Sequence, residues 1–380
     1  MKNSLEIPIE IRGAEAAKGL EKIKSDNADI KIVDTYPDQL EELFLLRNPR
    51  MRFVKDRAQS LGVFLEEYKK KNGDLKFCGS WFYFPWLRSI FHILPEDEFF
   101  EMRTGRNRYL ITEQEQKNFY NSTIAIAGLS VGSHVAFTIV MNGGGKFFKI
   151  ADPDTLSGSN LNRVRTGFTN IGEKKTDIVA RQLYEMNPYI KLEIFENGLN
   201  SENIGDFLNG GSLIIEETDD PYYKFKIREE AKSRKIPVIM GTDNGDNVFV
   251  DVERYDIESN LSIFNGKVEG ITAESLRQLD PQDLPRVAAR IAGAEIATTR
   301  MQQSVLEVGK TIYSWPQLGT AANLCGTALA YTARNILNNN PDIKSGRYEI
   351  NIESSLDSGY VNRSEERKNA TAEFLKKIGL

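Results

Sequence analysis

From residue 121 onward the chain alternates short apolar runs with amphipathic ones. Thr123-Ile-Ala-Ile-Ala127 is almost continuously apolar, the pattern of a strand buried on both faces. A helix is predicted from Val131 to Met141, then a strand over 146–151. Within Glu173–Met186, Val179, Leu183 and Met186 recur at helical spacing, and Pro188 stops the helix. Lys191–Phe195, Leu213–Ile215 and Pro237–Met240 read as strands, with a helix over Pro221–Arg234 between the last two. Gly241-Thr-Asp-Asn-Gly-Asp246 reads as a turn, followed by a strand over Asn247–Val252. This alternation predicts an α/β fold: a mainly parallel sheet with right-handed crossovers, flanked by helices.

The flanks differ. Residues 270–310 read as polar and helical. Gln317–Asn338 reads as one long helix rich in Gly and Ala, a composition that permits close packing on a sheet, and Arg347–Ile352 as a last strand. Residues 1–105 read as an α/β accessory region, with a strand at Ile30–Val33 and a helix at Pro37–Leu46. The aromatic run Trp81–Phe91 is expected to be core or dimer interface, with a substrate groove as the alternative. Two domains are therefore predicted, 1–105 for substrate or dimer contacts and 106–380 for the chemistry.

Composition narrows the function classes. A net charge of −5 argues against a broad nucleic-acid surface, which needs excess Lys and Arg. The two cysteines, Cys78 and Cys325, form no Cys-x-x-Cys pair, and His92 and His134 are the only histidines, so a structural zinc site is not expected. The most apolar window, Trp81–Phe91, is far short of the roughly 20 residues of a spanning helix. Met1-Lys-Asn-Ser-Leu-Glu-Ile-Pro8 lacks the basic-then-apolar pattern of a signal peptide. No membrane partner and a cytoplasmic location are expected.

The candidate chemistry lies where the strands end. Gly128-Leu-Ser-Val-Gly-Ser133 follows the first strand and opens a helix. Gly128 and Gly132 allow a sharp turn and a close phosphate approach, with free N–H groups at the helix start. The match to G-x-G-x-x-G is incomplete, because Ser130 and Ser133 stand at glycine positions, and a plain strand-to-helix turn is the rival reading. Asp152, roughly 20 residues on, sits where Rossmann-like folds place the carboxylate that grips ribose hydroxyls. A nicotinamide-dependent oxidoreductase needs no more than this, and leaves Asp154, Asn160, Arg163, Lys175 and Asp219 without a task. Breaking the bond between the α- and β-phosphates of a nucleotide does need them: cations to neutralise the departing pyrophosphate, and a carboxylate to hold magnesium.

Asp152-Pro-Asp-Thr-Leu-Ser-Gly-Ser-Asn-Leu-Asn-Arg163 resembles the D-x-D-x-V-x-x-S-N-L-x-R signature of ubiquitin-activating and ThiF/MoeB-type adenylating enzymes. The likeness continues in order through Arg106-Asn-Arg-Tyr109, Gln116 and Gly128, then Asn170-Ile-Gly-Glu-Lys-Lys175, Asn187-Pro188, Glu217-Thr-Asp219 (against C-T-D) and the helix from Gly319 to Leu337. It also resembles a bacterial branch with an N-terminal extension, here Phe84-Pro-Trp86 and Arg103–Thr112, some of whose members are fused to a nitroreductase-like domain.

The resemblance implies a ThiF-type fold and an adenylyltransferase that uses ATP and Mg2+. Asp152 would bind ribose, Asn160, Arg163 and Lys175 the phosphates, and Asp219 the magnesium. A homodimer is implied, with Arg108 acting in trans, and a nitroreductase-like partner is possible. The substrate would be a protein or peptide C-terminus, or a small carboxylate. Ser130 and Val131 replace family glycines in the phosphate loop. Neither cysteine lies in the 240–310 segment where thioester-forming members keep theirs, so adenylation without a thioester on this chain is expected. Cys325 is expected to be packed, Cys78 to be open to exposure, and His134 to be a bystander. The rivals are an NAD(P)-binding oxidoreductase and a catalytically silent ThiF-like binding subunit.

Overall fold

The computed structural model describes residues 7–13, 16–26, 29–280 and 283–380; residues 1–6, on which part of the signal-peptide expectation rests, lie outside them. The chain divides into two compact units, Met1–Gln116 with Tyr184–Tyr189, and Lys117–Leu183 with Ile190–Leu380. The division drawn at 105/106 from the sequence falls inside the first unit.

The first unit is built on four strands, β1 (Ile9–Arg12), β2 (Lys31–Asp34), β3 (Ser80–Phe84) and β4 (Ser89–Ile93), in the order β1-β3-β4-β2. β3 pairs antiparallel with both β1 and β4, and β2 runs parallel to β4. The β3 part of the aromatic run is core, with Trp81, Phe82, Tyr83 and Phe84 all buried, while Leu87 beyond it is exposed. His92 of β4 is stacked between Tyr36 and Trp81, with ring centroids 4.1 and 4.0 Å away. Cys78, which the sequence left open to solvent, is also buried, and its thiol faces the carbonyls of Asn72 and Asp74. The segment Tyr184–Tyr189 belongs here because Tyr189 donates its hydroxyl to the Leu94 carbonyl at 2.7 Å and meets Phe82 edge-on at 5.1 Å.

The second unit carries one seven-stranded sheet. Its strands are β5 (Thr123–Ala127), β6 (Phe147–Ala151), β7 (Lys191–Phe195), β8 (Leu213–Glu216), β9 (Val238–Asn244), β10 (Asn247–Glu253) and β11 (Gly346–Ile350). Their order is β11-β10-β9-β8-β5-β6-β7. The five from β5 to β9 are mutually parallel, and β10 and β11 add an antiparallel edge. This is the mainly parallel, helix-flanked α/β architecture expected. After β7 the chain crosses back and lays β8 on the other side of β5, so the winding direction reverses there. Such a switch point opens a crevice beyond the carboxyl ends of the strands, the usual ligand position in open α/β sheets.

One local reading is corrected. Gly241–Asn244 is not turn but the second half of β9, paired with β10 through Asp243↔Val248 and Asn244↔Asn247, and only Gly245-Asp246 turns the chain. The residues have turn composition, but the β10 ladder and burial override local preference. The helix Gly319–Leu337 packs on the helix Val131–Met141 and on β9 and β10. Its small residues are required there. A Cβ on Gly326 would strike the His134 backbone, and one on Gly241 of β9 would strike the Cys325 sulfur. The polar 270–310 stretch holds short helices at Ala273–Leu276, Leu284–Ala292 and Thr299–Val305.

Candidate active site

Everything in the site starts from two strand ends. At the end of β5, Gly128 takes φ +87°, and a Cβ there would collide with the Glu217 carbonyl that follows β8. Glycine thus lets the chain turn tightly into the helix Val131–Met141. Gly132 sits against Ile126 in the same way. At the end of β6, Asp152 is 3% exposed and pinned by the chain around it. Its Oδ2 accepts the Leu129 N–H at 2.7 Å, and its Oδ1 accepts the Asp154 N–H at 2.8 Å. Lys175, at the start of the helix Lys175–Met186, reaches both acids, with Nζ 2.7 Å from Asp154 Oδ2 and 3.5 Å from Asp152 Oδ1. Burial nonetheless outweighs these partners and raises the Asp152 carboxyl above its ordinary range.

The loop between Asp152 and Arg163 is held by its own polar groups. Asn160 Oδ1 accepts the Ser157 N–H at 3.0 Å, completing a capping box on the short 3₁₀ turn Gly158–Asn162. Arg163 donates through Nε to Ser130 Oγ at 3.2 Å, and through Nη1 to the Ser159 carbonyl and Asn162 Oδ1 at 3.1 and 3.0 Å. Desolvation lowers its pKa, and the nearby Asp219 and Asp243 act against that. His134 is buried, its pKa is lowered by desolvation, and it donates Nε2–H to the Arg163 carbonyl. That bond ties the Arg163 backbone to the helix Val131–Met141.

These pieces meet at a cavity of about 800 Å³. Ser130, Asp154, Asn160, Arg163, Lys175 and Asp219 all line it. Gly128, Gly132 and Asp152 lie behind that wall and shape it. Arg108 belongs to the first unit, where its guanidinium is 54% exposed and faces Glu101 and the Leu46 carbonyl. Sequence reasoning missed the opposite wall: the segment Ile312–Leu318 leading into the small-residue helix, and Arg300 from the helix Thr299–Val305. It also missed Asp243, in a stretch that reads as turn, which β9 carries to an adjoining compartment where it accepts from the cavity residue Gln317.

The donor set fits a nucleotide with magnesium. Asp219 is an exposed carboxylate on the wall. Among the described residues no cluster of three or more His, Cys, Asp or Glu side chains surrounds a common point. A single carboxylate is how magnesium is commonly held, with phosphate oxygens and water completing its shell. Both thiols are buried: desolvation raises Cys78, and desolvation with Glu217 and Asp243 nearby raises Cys325 well above the usual range. No helix among the described residues is long and apolar enough to cross a membrane.

A strand-end glycine turn, a polar loop ending in arginine, and a lysine on the following helix define a nucleotide-binding α/β class. The ThiF family model matches residues 104–370, and the chain belongs to that family. It is 33% identical over 325 residues to the uncharacterized protein MT1398 of Mycobacterium tuberculosis, an alignment covering 85% of this chain and 45% of that protein. It is 29% identical over 147 residues to the tRNA threonylcarbamoyladenosine dehydratase of Bacillus subtilis, covering 37% and 57% of the two chains. It is 30% identical over 94 residues to the adenylyltransferase and sulfurtransferase uba4 of Pyricularia oryzae, covering 24% and 19%. The chain therefore spans about half or less of the curated relatives it matches.

Proposed function

We propose that the chain is an ATP- and magnesium-dependent adenylyltransferase that activates a carboxylate as an acyl-adenylate. The observation that carries this is the convergence of Arg163, Lys175 and Asp219 on one cavity at the switch point of the sheet. The substrate carboxylate attacks the α-phosphate, a C–O–P linkage forms, and the bond to the β-phosphate breaks as pyrophosphate leaves. Because a carboxylate is already a nucleophile, the step calls for positioning and charge neutralisation rather than for a base. Magnesium, held by Asp219, would neutralise phosphate charge. The ribose hydroxyls go to the Asp152–Asp154 pair. Lys175, now shared by these acids, is within reach to exchange one of them for a phosphate oxygen. Arg163 meets the α-phosphate, and Arg300 adds a third cation on the opposite wall. The buried thiols support transfer without a thioester on this chain.

The test is ATP–pyrophosphate exchange across a panel of carboxylates. Arg163→Ala and Lys175→Ala should each lower it roughly 100- to 1,000-fold, the usual loss for one group that stabilises transition-state charge. Circular dichroism should remain unchanged. Near-normal exchange in both variants would overturn the assignment. Thermal shifts by ATP with magnesium, set against NAD, separate the oxidoreductase rival.

A further inference from the structure

A second compartment of about 450 Å³ opens beside the nucleotide cavity and shares Ser130, Arg163, Asp219 and Trp315 with it. That volume lies in the range of small-molecule sites. Its two sides differ in chemistry. One is the apolar face of the helix Leu284–Ala292, with Leu284, Val287 and Ile291 lining the space. The other is the end of β8 and the middle of β9, which bring Glu217 and Asp243 together.

Asp243 is 7% exposed. Its Oδ2 accepts one long hydrogen bond from Gln317 Nε2 at 3.4 Å, and its enclosed Oδ1 has no hydrogen-bond partner among the described residues. Neither cation on the wall fills that gap. Arg163 directs Nε and Nη1 to Ser130, Ser159 and Asn162, and Lys224 is held by Glu216 at 3.1 and 3.3 Å. The adjacent Glu217 carboxyl is enclosed, although part of the residue reaches solvent, and it accepts the Gly241 N–H at 2.6 Å. Desolvation raises it well above the ordinary range, and Asp243 adds to that rise. Two crowded acids on the wall of a half-apolar space, one with an enclosed acceptor that no protein donor fills, are complementary to a ligand that brings a positive hydrogen-bond donor.

We propose that this compartment holds the ammonium group of the molecule being activated, with Asp243 as its acceptor, so that the substrate is a small amino-bearing carboxylate with an apolar side chain. The carboxylate end rests on the adenylation reading and lies toward Arg163 and Asp219, which both cavities share. The apolar side chain lies against Leu284, Val287 and Ile291.

The test pairs leucine, valine, methionine and phenylalanine with their des-amino acids. Binding to the full chain is followed by calorimetry, and turnover by pyrophosphate exchange. In the wild-type protein at least one amino acid should bind at least about tenfold more tightly than its des-amino partner, the increment of one charged hydrogen bond. In Asp243→Asn the gap should close to within about threefold. Equal binding of every pair, no binding of any probe beyond a water-filled cavity, or an undiminished gap in Asp243→Asn overturns the proposal. The wild-type comparison needs no variant, so the proposal remains testable if Asp243→Asn fails to fold. Amine discrimination without exchange would keep the ammonium site and remove the adenylation reading. Exchange that ignores the amino group would do the reverse.

Discussion

Asp243 occupies a position that folding disfavours. Its carboxyl is pushed by burial from the ordinary 3.8 up to about 6, against the pull of Gln317 and Arg163. Below the lower value it is protonated in both the folded and unfolded chain, and its titration costs nothing. Between the two values the unfolded chain releases the proton first, and above about 6 the cost is complete. Asp243→Asn should therefore raise stability by about 2–3 kcal/mol near pH 7.5 and by almost nothing at pH ~3, read from urea unfolding at the two pH values. An equal gain at both would show that the effect is not ionisation. The same residue marks the limit of reading sites from sequence. Asp152, Arg163 and Lys175 were legible because they mark a strand end, the close of the loop after it and the start of the next helix along one stretch. Asp243 was not, because its surroundings come from pairing with β10 and from the distant residue Gln317.

At the scale of elements, the strands and helices from β5 to β10 were legible through their apolar runs. β9 was longer than its pattern, and β1 and the β3–β4 hairpin carried no clean alternation, since every residue of β3 is buried. What anchors the helix Pro221–Ser233 is a buried ionic network. Arg228 is fully enclosed and meets Glu216 of β8 and Glu253 of β10 at 2.5 and 2.6 Å. Lys224 completes the neutralisation of Glu216, and Tyr255 donates to Glu253. Arg228→Ala would leave two carboxylates short of their shared cation, and a loss of roughly 3–5 kcal/mol is expected in chemical unfolding. Arg228→Ala with Glu253→Gln should lose less than the sum of the two single changes, which a double-mutant cycle would measure. Additive losses would mean that the network does not act as a unit.

At the scale of the molecule, the sequence showed the mainly parallel sheet and the ligand loops of the second unit, because local order along the chain matches spatial order there. It did not show that the first unit is discontinuous, since membership of Tyr184–Tyr189 is decided by packing. The homodimer with Arg108 in trans that the resemblance implies makes its own prediction. Arg108→Ala and Lys175→Ala proteins, each inactive alone, should regain roughly a quarter of wild-type exchange after subunit mixing. Half of the dimers would then be hybrids with one intact site of two. No recovery in mixtures shown to have exchanged subunits would place Arg108 outside the partner's site.

The discontinuous first unit bears on how the chain is made. Synthesis runs from the N-terminus, and domains tend to fold as they emerge. Here the aromatic-rich first unit reaches Gln116 still lacking Tyr189, the ring that packs on Phe82 and caps the Leu94 carbonyl. It must wait while the strands β5 and β6 and the helix Lys175–Met186 are produced. A fragment of residues 1–116 should accordingly bind hydrophobic dye and unfold with low cooperativity, whereas a compact, sharply melting fragment would show that the late segment is dispensable. On the ribosome, the first unit then closes only after the loops at 128–133 and 152–163 have been translated, and before β7 to β11 exist.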